Sequence, residues 1–174
     1  MTNLSFGSSK MEGSLKAMWS RWWAGLFGGS PSERSQAARI LQQQYIEARQ
    51  RASRLTQYAQ NMPYAHFREK LLRIAAEQAK HGDQIAEKLK LFSSPLPGVA
   101  EPQLGGGNSW QLLLADLEEQ RRSAAELWDQ LHRVPPEFPE IAEFLQRIYE
   151  DGKKHRTEIN DMLMRSDPQA FSAG

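Results

Sequence analysis

The chain has no cysteine among its 174 residues. A disulfide framework, a thiolate metal site, an iron–sulfur cluster and a thiol nucleophile are therefore excluded. No run approaches the roughly 20 apolar residues of a membrane-spanning helix, and Arg21 interrupts the only candidate for the apolar region of a signal peptide. We therefore predict an unexported, cytoplasmic protein without a transmembrane segment.

The charge balance has no strong sign. The sequence holds 22 Lys and Arg against 21 Asp and Glu, for a net charge of +1, and the two signs are interspersed. A general nucleic-acid binder would concentrate basic residues, so we expect no nucleic-acid partner. A length of 174 residues with 40% hydrophobic content fits one domain with a real core and short flanking segments.

Residues 1–30 form a segment of unusual aromatic weight. Its apolar residues recur at helical spacing and predict a short amphipathic helix: Leu15, Met18, Trp19, Trp22, Trp23, Leu26 and Phe27. Exposed together, they would form an interaction patch. Three interpretations stay open: the helix folds back onto the rest of the chain, docks in a partner protein or a second copy, or lies in a membrane interface where Lys10, Lys16 and Arg21 meet anionic lipid.

Residues 31–166 predict four helices, at 31–61, 64–92, 109–133 and 138–165, followed by a tail at 167–174. Ser30, Pro31 and Glu33 form a strong helix start, with Ser30 as N-cap and Glu33 closing a capping box; Asn108 or Ser109 starts the third helix. Residues 93–108 are rich in proline and glycine and cannot be helical. At about 3.3 Å per residue this link can run the length of a bundle, which permits the second and third helices to be parallel.

The core faces follow from apolar residues spaced three and four apart. In the first helix the stripe includes Tyr45 and Ala48, and in the third Leu117 and Gln120. No carboxylate lies clearly on the stripe of either helix. Arg51 and Arg54 are expected to form solvated ion pairs. The second helix has the most regular stripe, with Gln78 and His81 as its only polar members: Phe67, Leu71, Ile74, Gln78, His81, Ile85 and Leu89.

Two segments of the chain repeat each other. Residues 71–91 (LLRIAAEQAKHGDQIAEKLKL) match residues 145–165 (LQRIYEDGKKHRTEINDMLMR) at one constant offset. The matched pairs are Leu71/Leu145, Arg73/Arg147, Ile74/Ile148, Glu77/Asp151, His81/His155 and Ile85/Ile159. A helix hairpin used twice explains the repeat, and each copy sets a histidine into the apolar stripe of its second helix.

This repeated hairpin resembles the ferritin-like superfamily, most closely its rubrerythrin-type members, over about residues 33–165. The resemblance implies an all-α, ferritin-like four-helix bundle, here with an added N-terminal amphipathic helix. It also implies two iron or manganese ions in the core, held by a Glu from each of the first and third helices and by a Glu-x-x-His pair from each of the other two. Residues three apart share a helix face, so a carboxylate and an imidazole at that spacing converge on one metal.

The chain departs from this pattern at two ligands. The histidines match as His81 and His155, but Gln78 and Gly152 stand where the Glu-x-x-His motif has glutamate. Glu47 and Glu119 are the candidates from the first and third helices, each beside the stripe. A rearranged set would use Glu77 and Asp151, four residues before the histidines, which is also a same-face spacing. The alternatives are two buried histidines hydrogen-bonded to Gln78, Gln120 or backbone, or a haem held by the histidine pair.

The sequence therefore favours a structural or interaction protein with a degenerate metal site and no cofactor. In this interpretation the tryptophan-rich helix docks to a protein partner, to a second copy of the chain or to a membrane surface. The alternative is an iron- or manganese-binding oxidoreductase of the rubrerythrin type with altered ligands, which would need the redox metal for its chemistry.

Overall fold

A computed structural model describes residues 29–103 and 107–165 of this chain. Within these ranges the protein is all-α, with four helices and no strand: α1 (Pro31–Gln60), α2 (Ala65–Leu91), α3 (Ser109–Leu131) and α4 (Pro139–Arg165). The predicted all-α class is confirmed, and each helix end lies within two residues of its predicted position. The predicted N-terminal helix and the tail at 167–174 lie outside the described residues.

Two of the helix starts are fixed by capping boxes, of which the sequence analysis predicts the one at Ser30. The Ser30 hydroxyl accepts a hydrogen bond from the Glu33 amide at 3.3 Å, and the Glu33 carboxylate accepts one from the Ser30 amide at 2.6 Å. Asn108 and Gln111 repeat the arrangement at α3, at 2.9 and 3.1 Å. Each box satisfies two amides that an N-terminal turn leaves without intrahelical partners.

The helix directions follow from contacts between the two hairpins. Gln44 of α1 bonds Gln130 of α3 while Arg54 bonds Asp116, so α1 and α3 are antiparallel. The link between α2 and α3 runs back along α1, where Gln42 donates to the carbonyl of Pro95 at 3.0 Å and Ser53 to Glu101 at 3.2 Å. Such a link returns the chain to the end at which α2 began. The bundle is therefore compatible with a ferritin-like fold.

The core consists of two apolar clusters separated by polar side chains. One cluster, around Leu71 and Met162, lies near the turn that joins α1 and α2. The other, around Leu41 and Leu145, lies near the opposite end of the bundle. Between them the buried polar side chains form what we call the polar layer: Gln44, Gln78, His81, Asp116, Gln120 and His155. All seven predicted stripe members of α2 are buried. In α1 the register differs slightly, since Gln44 is buried and Tyr45 only half-buried.

No helix in the described ranges is both long and apolar enough to cross a membrane.

Candidate functional site

The histidines of the two halves pair with the carboxylates of the opposite half. His155 on α4 bonds Glu77 on α2, with 2.6 Å between Nε2 and Oε2, and His81 on α2 lies 3.4 Å from Asp151 on α4, measured from Nε2 to Oδ2. We call these contacts the crossed pairs. They bring together the four side chains of the rearranged ligand set, as two separate pairs.

Each histidine has a different second environment. Nδ1 of His155 lies 3.1 Å from the amide nitrogen of Gln78, which confirms for this residue the expectation of a buried histidine hydrogen-bonded to Gln78. If the His155 imidazole is neutral and its Nδ1 accepts a hydrogen bond from the Gln78 amide, its Nε2–H donates to the Glu77 carboxylate. By contrast, Nδ1 of His81 is buried and has no hydrogen-bond partner in the described part of the chain. The two histidines are therefore equivalent by repeat but not in their hydrogen bonding.

The electrostatics of the crossed pairs combine burial with ion pairing. Burial lowers the pKa of His81 and outweighs the attraction of Asp151. Burial would raise the pKa of Glu77, but hydrogen bonds from His155 and Arg73 overcome it and the pKa is lowered. The pKa of Asp151 is lowered mainly by its hydrogen bond from Lys154, at 2.9 Å. Both carboxylates are thus held in the ionised form at neutral pH.

The crossed pairs line an open groove between α2 and α4 with a volume of about 550 Å³. Its walls carry both signs of charge, because Arg73 and Lys154 approach the acids Glu77, Glu158 and Asp151. Lys80 and Arg147 also line the groove, so four cations there face three carboxylates. The near balance leaves no strong field of one sign for an incoming ligand.

A second, smaller cavity lies between the helices, is partly open to solvent and touches all four of them. It measures about 20 Å³ and is lined by polar and charged groups as well as apolar ones, among them Gln44, Glu47, Arg51, Gln78, Gln120, Ser123, Gly152 and Arg156. Gln78 and Gly152, the positions at which the Glu-x-x-His motif has glutamate, both face this cavity. Neither supplies a carboxylate to it.

Glycine at 152 leaves space that an arginine uses. A Cβ atom built at Gly152 would stand 3.3 Å from Nη1 of Arg156. The Nε of Arg51, also lining the cavity, is buried and has no hydrogen-bond partner in the described residues. Burial lowers the pKa of both arginines, although an arginine stays protonated in proteins. Two guanidinium groups therefore line the interior where the resemblance implies metal ligands.

The remaining candidate ligands lie apart from one another. Glu47 lines the interior cavity, and burial raises its pKa despite the attraction of Arg51. Glu119 instead points outward and forms an ion pair with Arg122 on the surface of α3. Within residues 29–103 and 107–165, no three histidine, aspartate or glutamate side chains are grouped so as to hold one metal ion.

The sequence analysis missed a buried carboxylate. Asp116 on α3 is 1% exposed, accepts a hydrogen bond from Arg54 Nε at 2.9 Å and another from the Gln120 amide at 2.6 Å. The expectation of a core without a carboxylate on α1 or α3 was wrong, as was that of a solvated Arg54. The available indication was spacing, since Asp116 lies three residues after Leu113 and four before Gln120, both buried.

No protein-family model matches this chain, and no curated protein matches it. The resemblance to the ferritin-like superfamily thus rests on the repeated hairpin and on the four-helix architecture.

Proposed function

We propose that this protein is a ferritin-like bundle with a degenerate metal site, acting as a structural or interaction module rather than as an oxidoreductase. The observation that carries the proposal is the lining of the interior cavity. At the two motif positions the chain has an amide and a glycine, Gln78 and Gly152, and the guanidinium groups of Arg51 and Arg156 line the same space.

The physical reason is charge. A pair of Fe²⁺ or Mn²⁺ ions requires several carboxylates, both as preferred ligands and to neutralise four positive charges. Here Glu47 is the single carboxylate among the cavity-lining residues, and the lining also contains two cations, Arg51 and Arg156. Like charges at a partly buried site repel one another, so this lining opposes the entry of a metal pair.

The docking element of the proposal is the tryptophan-rich segment, with Trp19, Trp22 and Trp23 at its centre. Its support is the sequence pattern, since a helix with this much aromatic surface needs a partner to cover it unless it folds back onto the bundle. A protein partner, a second copy of the chain and a membrane surface are the three coverings to distinguish.

The alternative function, an iron or manganese oxidoreductase, is supported by the crossed pairs. They hold two imidazoles and two carboxylates at one groove between α2 and α4. A metal centre there would have to displace the present contacts of His81 with Asp151 and of His155 with Glu77.

Elemental analysis of the purified full-length protein separates the two functions. We expect iron and manganese far below one ion per chain after expression in medium supplemented with both. Near-stoichiometric metal that is lost in the His81→Gln/His155→Gln variant would overturn the proposal. The matched control is His66→Gln/His132→Gln, which changes two exposed histidines and should leave the metal content as it is.

The docking element is tested in the full-length chain by Trp19→Ser/Trp22→Ser/Trp23→Ser. Flotation with anionic vesicles detects membrane binding, and sedimentation velocity with and without a cell extract detects self-association or a protein partner. We expect wild-type protein to bind in one of these assays and the variant to lose that binding. Identical behaviour of the two proteins in every assay would refute a docking role, provided that both melt at the same temperature.

A further inference from the structure

The interior cavity has the chemistry of an anion site rather than of a cation site. Its charged lining consists of Arg51, Arg156 and Glu47. Arg54, the nearest additional guanidinium, is already bonded to Asp116 at 2.9 Å. Within the lining itself two positive charges face one negative charge, and the buried Nε of Arg51 has no hydrogen-bond partner in the described residues. Outside the lining, Arg121, Glu126 and Glu150 also act on Arg156 or Glu47, so the excess positive charge is confined to the cavity wall, where one negative charge would balance it.

We propose that this cavity binds one small monovalent anion, of the size of chloride, between Arg51 and Arg156. The site goes beyond the proposed docking function and does not depend on it. Its ligand would complete the hydrogen bonding of Arg51 and neutralise a charge that the fold places away from water. An uncompensated buried charge is costly, so the bound anion should also stabilise the bundle.

The volume of the cavity limits what can bind. About 20 Å³ of space holds one particle of about the size of a water molecule. Phosphate and larger oxyanions exceed this size, which leaves a single-atom anion as the charged occupant. A water molecule is the neutral competitor, but it would satisfy Nε of Arg51 without balancing its charge.

The uncharged lining also suits an anion. Gln44, Gln78 and Gln120 each use one amide N–H in a hydrogen bond, to Gln130, His155 and Asp116 respectively. A glutamine amide has two N–H groups, so each retains a donor. Together with the guanidinium groups they give the cavity lining N–H donors from α1, α2, α3 and α4, and such donors stabilise negative charge.

Chloride-35 NMR tests the site directly, because a chloride ion in exchange with an asymmetric protein site broadens the bulk chloride line. We expect the wild-type full-length protein to cause excess broadening that bromide removes by competition. Arg51→Met and Arg156→Met should each lose most of it. Arg122→Met is the matched control, since it removes an exposed arginine of α3, and it should retain the wild-type broadening.

The outcomes are decisive in both directions. Absence of excess broadening by the wild-type protein overturns the proposal, and so does broadening that survives in folded Arg51→Met or disappears in Arg122→Met. Should the core variants fail to fold, crystals of the wild-type protein grown in bromide decide the matter. An anomalous peak between the Arg51 and Arg156 guanidinium groups supports the site, and bromide found elsewhere or nowhere refutes it.

Discussion

Asp116 offers the sharpest test of how the interior of this bundle is stabilised. Its side chain has no exposed surface, and it holds Arg54, whose side chain is 20% exposed, at 2.9 Å. It also accepts the Gln120 amide at 2.6 Å and interacts electrostatically with Arg51. Asp116→Ala therefore removes the partner of the largely buried Arg54 guanidinium and a compensating charge of Arg51, while leaving both cations in place.

The expected loss is large for a single substitution. Breaking a buried ion pair by removal of one partner costs about 3–5 kcal/mol, because the remaining charge stays desolvated. For a domain of this size each kcal/mol shifts the melting temperature by about 2–4 °C, so Asp116→Ala should melt on the order of 10 °C lower. Replacing both partners, as in Arg54→Met/Asp116→Leu, removes the uncompensated charge of Arg54 but not that of Arg51, so it should recover part of the loss.

Urea unfolding followed by circular dichroism measures the free energy of unfolding. The matched control is Asp83→Ala, which removes a second Asp–Arg contact made by α1, to Arg49 at 2.6 Å. The Asp83 side chain is 70% exposed, and such surface pairs contribute about 0–1 kcal/mol. If Asp116→Ala loses no more stability than Asp83→Ala, the inferred buried network does not stabilise the fold.

Three further predictions concern the helix start, the helix face and pH. Ser30→Ala should cost about 1 kcal/mol of unfolding free energy through the lost cap, against under about 0.5 kcal/mol for the exposed Ser32→Ala; equal losses would contradict the capping role. Leu71→Ala should cost about 2–5 kcal/mol as a core truncation, and its neighbour Leu72→Ala, at a position that is 44% exposed, much less; the reverse order would refute the assigned face of α2. Burial lowers the pKa of His81, so as pH falls the histidine is protonated in the unfolded chain before it is protonated in the folded one. The free energy of unfolding is therefore undiminished by this histidine above about pH 6.5 and decreases below it. His81→Gln should accordingly show a smaller loss of stability than wild type between about pH 7 and about pH 5, as measured by urea unfolding at each pH, and an unchanged pH profile would count against it.

The parts of the structure that the sequence predicted are those specified locally. The α1 start follows from Ser30, Pro31 and Glu33, which lie within four residues of one another. The buried face of α2 follows from a regular apolar stripe. Asp116 was missed, and Arg51 was expected to be solvated, for a different reason: both residues pair with or approach groups that are distant in sequence. Arg54 and Asp116 are separated by 62 positions, so the spacing of buried residues in α3 could place Asp116 on the inner face but could not identify the cation that pairs with it.

The structure also changes the meaning of the repeat. Exchanging the two halves maps the His81–Asp151 pair onto the His155–Glu77 pair. In both halves the acid four residues before the histidine therefore has the same role: it contacts the histidine of the other half. The inward positions are not equivalent in this way, since Gln78 bonds His155 whereas Gly152 makes room for Arg156. A constraint from a shared metal would act first on those inward positions. The equivalence lies instead on the face where α2 meets α4, which favours packing between the two hairpins as the reason that the repeat is still visible.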